Sequence, residues 1–213
     1  MYTPSYFGVA DQAEALDLIR SIGFGTLVTA LPSGIQITHV PFLLTSDGRT
    51  LRTHIARANP HWKALEDGAP SVVIFQGVQA YVSPDWYETQ PSVPTWNYEV
   101  AHVHGIARAF HDGDALKQVL SDISDVYEAG RPVPWKTDKL PDDLFDLLVK
   151  GIVGIDVTVD RVGAQRKLSQ NKKEADRQGV IRGLETEGGP NGAMVAAVMR
   201  ALETSGNPLE KAI

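Results

Sequence analysis

The sequence predicts a mainly β fold of the α+β class: an antiparallel barrel, closed or nearly so, with helices outside it and a helical C-terminal extension. Three observations predict it. Strand-like segments crowd the first half of the chain and return once after a helical stretch, whereas a parallel α/β sheet would alternate strand and helix regularly. Turn signals such as Pro32-Ser33-Gly34 and Asp47-Gly48 join neighbouring strands closely enough for hairpins. Apolar residues make up 43% of 213 positions, enough for a single buried core.

Taken in order, Asp11 caps a short helix, with Glu14 completing a capping box and Ala15, Leu18, Ile19 and Ile22 on one side. Residues 24–31 are rich in β-formers, residues 35–44 alternate like a half-buried strand, and a third strand covers about 50–56. Asn59-Pro60 opens a short helix, with Asn as cap and Pro at the first helical position. Residues 71–76 and 79–83 read as two further strands, 84–94 as an aromatic, proline-rich loop, and 97–111 as a long strand. An amphipathic helix follows over 114–129, carried by Leu116, Val119, Leu120, Ile123, Val126 and Tyr127. Pro141 begins another helix, ending near Lys150, and 151–162 is the last strand. From Lys172 the tail reads as two helices split at Gly188-Gly189-Pro190.

Composition excludes several functions. With no cysteine there are no disulfides, thiolate metal sites or cysteine nucleophiles, which fits a reducing compartment. The N-terminus has no basic stretch followed by an apolar run, and no segment has the length and apolarity to span a bilayer. These features together point to a soluble cytoplasmic protein. A net charge of −6 argues against general nucleic-acid binding, which Lys and Arg drive.

Three clusters carry chemistry. From Arg161 to Arg182 seven basic residues stand against two acids. The centre, Arg166-Lys167-Leu168-Ser169-Gln170-Asn171-Lys172, falls between a strand and a helix, where side-chain donors and free backbone N–H groups suit a phosphomonoester. The same residues also read as a solvated basic turn with Ser169 or Asn171 as a helix cap. The second cluster, Thr53 to Trp62, offers His54 and Arg57 to a phosphate or ring carbonyl, while Asn59 reads first as the helix cap. The third places five aromatics within eighteen residues, from Tyr81 to Tyr98. Trp86, Trp96 and Asn97 there suit a flat heteroaromatic ring with a polar edge, or else a small aromatic core. His102 and His104 share one strand face but lack further ligands for a metal.

The segments HIARANPHW, YVSPDWYE, VPTWNYEVAHVHG and RKLSQNK, in this order and spacing, resemble the PaiB-type family of FMN-binding proteins, named for negative transcriptional regulation. The resemblance runs over nearly the whole chain. It implies the split β-barrel of pyridoxamine-phosphate oxidases and flavin reductases over residues 1–170, with residues 171–213 as a C-terminal helical extension. It also implies a homodimer, FMN near the subunit interface, and negative regulation of sporulation and protease genes. The cofactor-binding residues it implies are His54, Arg57 and Asn59, then Trp96 and Asn97, then Lys167, Ser169, Gln170 and Asn171, with no catalytic residue and no metal. The function expected is a flavin-dependent regulator or sensor. The alternative is an FMN-dependent oxidoreductase using NAD(P)H or a small-molecule substrate, in which flavin supplies the chemistry and the protein position and electrostatics. Direct DNA binding is disfavoured by the acidic balance and by a last helix of Ala, Val and Met where base readers would be needed.

Overall fold

A computed structural model of the protein describes residues 1–204. Its elements are α1 (Gln12–Ile22), β1 (Phe24–Leu31), β2 (Gly34–Pro41), β3 (Leu43–Leu44), β4 (Thr50–Ala56), β5 (Ala69–Val82), β6 (Thr95–Phe110), α2 (Gly113–Glu128), α3 (Asp142–Lys150), β7 (Ile152–Lys167), α4 (Glu174–Thr186) and α5 (Gly189–Thr204). Short 3-10 turns occur at Pro60–Leu65, Pro84–Trp86 and Thr137–Lys139. The strands form one sheet in the order β2-β1-β5-β6-β7-β4-β3. The described residues divide into two compact units: Met1–Ala15, Gln76–Ala101 and residues 163–204 make the first, and Leu16–Phe75 with His102–Val162 the second.

All seven strands contribute to the second unit. There β1 pairs with β2 and β5, and β4 with β3 and β7, all antiparallel. Alternation in β1 buries Gly25, Leu27 and Thr29 on one face, as a period of two requires. β2 also lies against β4, and Thr53 Oγ1 donates to the Pro41 carbonyl at 2.5 Å, so the sheet curls back on itself. The expected strand over 35–44 breaks at Phe42, whose buried ring meets Phe75 edge to face at 5.8 Å.

A polar chain runs through this core, and its two ends fix the direction of every bond in it. At one end the Asn59 Oδ1 accepts from His61 N–H, so its Nδ2 is the atom that donates to Thr38 Oγ1 at 3.1 Å. The Thr38 hydroxyl then donates to His61 Nδ1 at 2.8 Å. At the other end Ser71 Oγ donates to the Ala69 carbonyl, so the Thr29 hydroxyl donates to Ser71 Oγ at 2.7 Å. Thr29 Oγ1 accepts in turn from His61 Nε2 at 2.9 Å. His61, 1% exposed, is thereby the neutral Nε2–H tautomer, and burial lowers its pKa from 6.5.

The first unit holds the ends of β5, β6 and β7, the N-terminal segment and the helix pair. Val9 N–H donates to the Ala164 carbonyl and Arg166 N–H to the Phe7 carbonyl, which lays the N-terminal segment along β7. α4 packs on α5, burying Val180, Ile181 and Leu184 against Val195, Ala196 and Met199. The apolar residues that deprive α5 of base readers thus form its packing face. Trp86 seats on α4 where glycines leave room: a Cβ at Gly183 would lie 2.2 Å from its ring, and one at Gly179 2.0 Å from its carbonyl oxygen.

Further differences from the sequence expectation concern β5, β7 and the start of α1. The two strands expected at 71–76 and 79–83 are one, β5 over Ala69–Val82, whose buried side chains are odd-numbered through Phe75, then Ala80 and Val82. β7 continues to Lys167, five residues past its expected end, because the N-terminal segment supplies it with a partner. Glu14 does not close a capping box: Asp11 caps α1 alone, accepting from Ala13 N–H, and Glu14 pairs with Arg166.

Candidate functional site

The end of β7 and the loop to α4 create a cleft in the first unit. It holds about 190 Å³ and is lined by Phe7, Tyr87, Val93, Thr95, Lys167, Ser169, Asn171 and Lys172. Successive strand residues point to opposite faces. Arg166 is held by Glu99 at 2.7 Å and by Glu14. Lys167 Nζ donates to Thr95 Oγ1 and to the Trp96 carbonyl, each at 2.6 Å, and sits 5.7 Å from the Phe7 ring. Burial, and then the charge of Lys172, lower its pKa from 10.5. Two of the three ammonium hydrogens are thus committed, and one remains for a ligand. Lys172 Nζ stands 4.7 Å from the centre of the Tyr87 ring.

Between the two lysines the backbone takes an uncommon path. Ser169 has φ of 61°, the left-handed region, which costs an ordinary residue about 1–2 kcal/mol. The Asn97 amide faces Ser169 Oγ, with Nδ2 at 3.0 Å and Oδ1 at 3.2 Å, and Nδ2 also reaches Met199 Sδ. The Gln170 amide folds back along the chain, its Oε1 accepting from Leu168 N–H at 2.6 Å and its Nε2 donating to the Arg166 carbonyl. Lys172 N–H closes the turn on the Ser169 carbonyl at 2.9 Å. Among the described residues, no acceptor is found for the backbone N–H groups of Ser169, Gln170 and Asn171. Consecutive free N–H groups beside a left-handed residue make an anion-binding concavity.

The rim is tied down as well. Asp176 is 3% exposed; burial raises its pKa, and hydrogen bonds from Thr89 and Glu88 outweigh that and hold it below 3.8. It accepts from Thr89 N–H at 2.8 Å and so fixes the loop that carries Tyr87 and Val93. Burial raises the Tyr87 pKa above 10.0, against a hydrogen bond with Ser169. Arg177 donates to the Lys172 carbonyl at 2.7 Å and pairs with Glu203 of α5.

The expected residues separate by unit. Trp96, Asn97, Lys167, Ser169, Gln170 and Asn171 all belong to the first unit. Lys167, Ser169 and Asn171 line the cleft, Trp96 supplies the carbonyl that anchors Lys167, and Asn97 is fully buried behind Ser169. His54, Arg57 and Asn59 belong to the second unit. Arg57 donates to the carbonyls of Lys150 and Ile152, closing the end of α3, and Asn59 caps the Pro60–Leu65 turn. His54 is on β4 with its Nδ1 buried and unpartnered among the described residues, and burial lowers its pKa. Sequence reasoning did not single out Phe7, Tyr87, Thr95 or Lys172 as site residues. Lys172 was visible in the basic run, but Phe7 and Thr95 reach the cleft only through strand pairing.

The donor set fits a phosphate: two cations and the side-chain amide of Asn171 line the cleft beside aromatic walls from Phe7 and Tyr87, in a turn whose backbone N–H groups at Ser169, Gln170 and Asn171 have no acceptor among the described residues. Residues 1–161 match the family described as "Putative FMN-binding domain". The chain belongs to this family. FMN is accordingly the cofactor of this FMN-binding domain. Its relatives include the Protease synthase and sporulation protein PAI 2 of Bacillus subtilis (strain 168), 37% identical over 201 residues that cover 93% of this chain and 96% of the relative. In fold, the FMN-binding domain is similar to the flavocytochrome Anf3 from Azotobacter vinelandii (TM-score 0.58, 13% identity, 83% of this chain and 78% of that chain). It is also similar to the FAD and heme binding protein from Mycobacterium smegmatis (TM-score 0.56, 16% identity, 75% of this chain and 73% of that chain). The mainly β split-barrel fold, with its helical C-terminal end, is the one expected from the sequence.

Proposed function

We propose that the protein is an FMN-binding regulator of gene expression that works inside the cell as a homodimer, with the phosphate end of FMN in the Lys167–Lys172 cleft. The observation that carries the reading is that Lys167, Lys172 and Asn171 line one cleft at a turn whose backbone N–H groups, from Ser169 to Asn171, have no acceptor among the described residues. A cleft of about 190 Å³ is smaller than the roughly 300–1,000 Å³ of pockets that enclose a whole ligand, so it suits the ribityl phosphate and leaves the ring to a neighbouring surface. A partner subunit is the natural source of that surface. The regulatory role is supported by the name of the Bacillus subtilis relative, which ties it to protease synthesis and sporulation. Bound FMN would supply redox chemistry or a redox-dependent shape; the protein's residues supply grip and orientation.

His54, Arg57 and Asn59 fall outside this phosphate grip, and we assign them the task of holding the second unit's backbone. Partnership with DNA is open to a dimer whose basic surfaces join, but a chain of net charge −6 fits better with action through a protein partner. No helix among the described residues is long and apolar enough to cross a membrane.

The test is a titration of the purified protein with FMN and with riboflavin, followed by flavin fluorescence, together with its mass in solution. Tight FMN binding, weaker riboflavin binding and a dimer mass are expected. Equal affinity for the two flavins would overturn the phosphate assignment. Steady oxidation of NAD(P)H by the FMN-loaded protein would select the oxidoreductase instead.

A further inference from the structure

Gln170 and Asn97 each use their amide on the protein itself. Gln170 bridges the Arg166 carbonyl and the Leu168 N–H, two backbone groups on the near side of Ser169. Asn97, at 0% exposure, faces the Ser169 hydroxyl from β6. Gln170 does not line the cleft, and Asn97 has no exposed atom to offer a ligand. What the two share is the residue between them: Ser169, the described non-glycine residue held at positive φ. A strained conformation persists only where its surroundings over-determine it. With Ser169 in that region, its own N–H and those of Gln170 and Asn171 have no acceptor among the described residues. Were Ser169 to relax to negative φ, the loop between the two lysines would lose this path.

We propose that Gln170 and Asn97 are positioning residues, which hold Ser169 left-handed so that the loop presents its backbone N–H groups to a phosphomonoester while touching no ligand themselves. The proposal rests on the phosphate reading of the Lys167–Lys172 cleft. Lys167, Lys172 and Asn171 are then the side chains that contact the ligand, and Gln170 and Asn97 set the shape they work around.

Glycine separates positioning from contact, because it takes positive φ without a steric penalty. Gln170→Ala is expected to weaken FMN binding about tenfold, since the loop must now be ordered on binding, and to leave riboflavin binding within about twofold. Adding Ser169→Gly to Gln170→Ala is expected to restore most of the lost FMN affinity. Hydrogen exchange at the Leu168 amide, slow in the wild type, should become fast in both variants that lack the Gln170 amide. Gln170→Met, of similar volume, serves as the variant if alanine prevents folding.

Loss of FMN and riboflavin affinity in equal measure would overturn positioning, as would unchanged FMN affinity or failure of the glycine to rescue. A wild type that binds riboflavin as tightly as FMN would overturn the phosphate reading itself. A wild type that discriminates between the flavins, beside a Gln170→Ala protein that discriminates equally well, would overturn the positioning role alone.

Discussion

Thr38→Val removes one oxygen from the centre of the second unit and replaces it with a methyl group of nearly equal size, so no cavity opens. Two groups lose their partner. His61 Nδ1, in a ring 1% exposed, loses the hydroxyl that donates to it at 2.8 Å. Asn59 Nδ2 loses its acceptor at 3.1 Å, in a half-buried place where water can partly replace it. An unpaired buried polar group costs about 1–3 kcal/mol, and with a smaller cost at Asn59 the variant should lose about 2–4 kcal/mol. The ring cannot escape by switching tautomer, because Thr29 already accepts from Nε2 and the Ser71 hydroxyl is committed to the Ala69 carbonyl. For a chain of this length the loss corresponds to a fall in Tm of about 4–16 °C. The assay pairs thermal and urea unfolding with an FMN titration. A Tm within about 2 °C of wild type would refute the bond directions derived for the chain. A fall in FMN affinity matching the fall in stability would refute the assignment of Asn59 to the fold and return it to the cofactor.

Three further outcomes follow from the same structure. Burial keeps the pKa of both His61 and His54 below 6.5 in the folded protein, so the unfolded chain binds protons first as pH falls. Stability should be level above about pH 7 and decline from about 6.5 downward, and a urea midpoint that is the same at pH 7.5 and pH 5 would contradict this. Lys172→Ala removes a cation that lines the cleft and rests on Tyr87, its ammonium without a hydrogen bond among the described residues. FMN affinity should fall about tenfold or more while Tm moves by less than about 3 °C, and a loss of stability without a loss of affinity would count against the site. Gly183→Ala drives a methyl group into the Trp86 ring and should destabilise the protein by about 1–3 kcal/mol, read as a lower urea midpoint; a neutral effect would mean that Trp86 does not sit on α4.

The fold was legible because its signals are local. The bounds of β4 and the helices at 142–150 and 174–204 follow from residues adjacent in sequence: the Asp47-Gly48 turn, the Asn59 cap, the 3.6-residue apolar period and the Gly188-Gly189-Pro190 break. Where the reading erred, the cause was a partner far away in sequence. β7 runs on to Lys167 because residues 7–9 pair with it, and Glu14 leaves its own helix start for an arginine 152 positions on. The basic run from Arg161 to Arg182 looked uniform as a string. In the fold Arg166 and Arg177 are paired with acids, while Lys167 and Lys172 line the cleft.

By itself the sequence determined that this chain is a mainly β FMN-binding domain with a helical end, and it marked the stretch around Lys167 to Asn171 as a candidate for the phosphate. Those properties reside in the pattern, charge and spacing of neighbouring residues. Only the tertiary structure decided which side chains of that stretch are spare. Asn97 and Ser169 are 72 positions apart, and so are Lys167 and Thr95. A side chain is available to a ligand only when the fold has given it no other partner, and a linear string cannot record that.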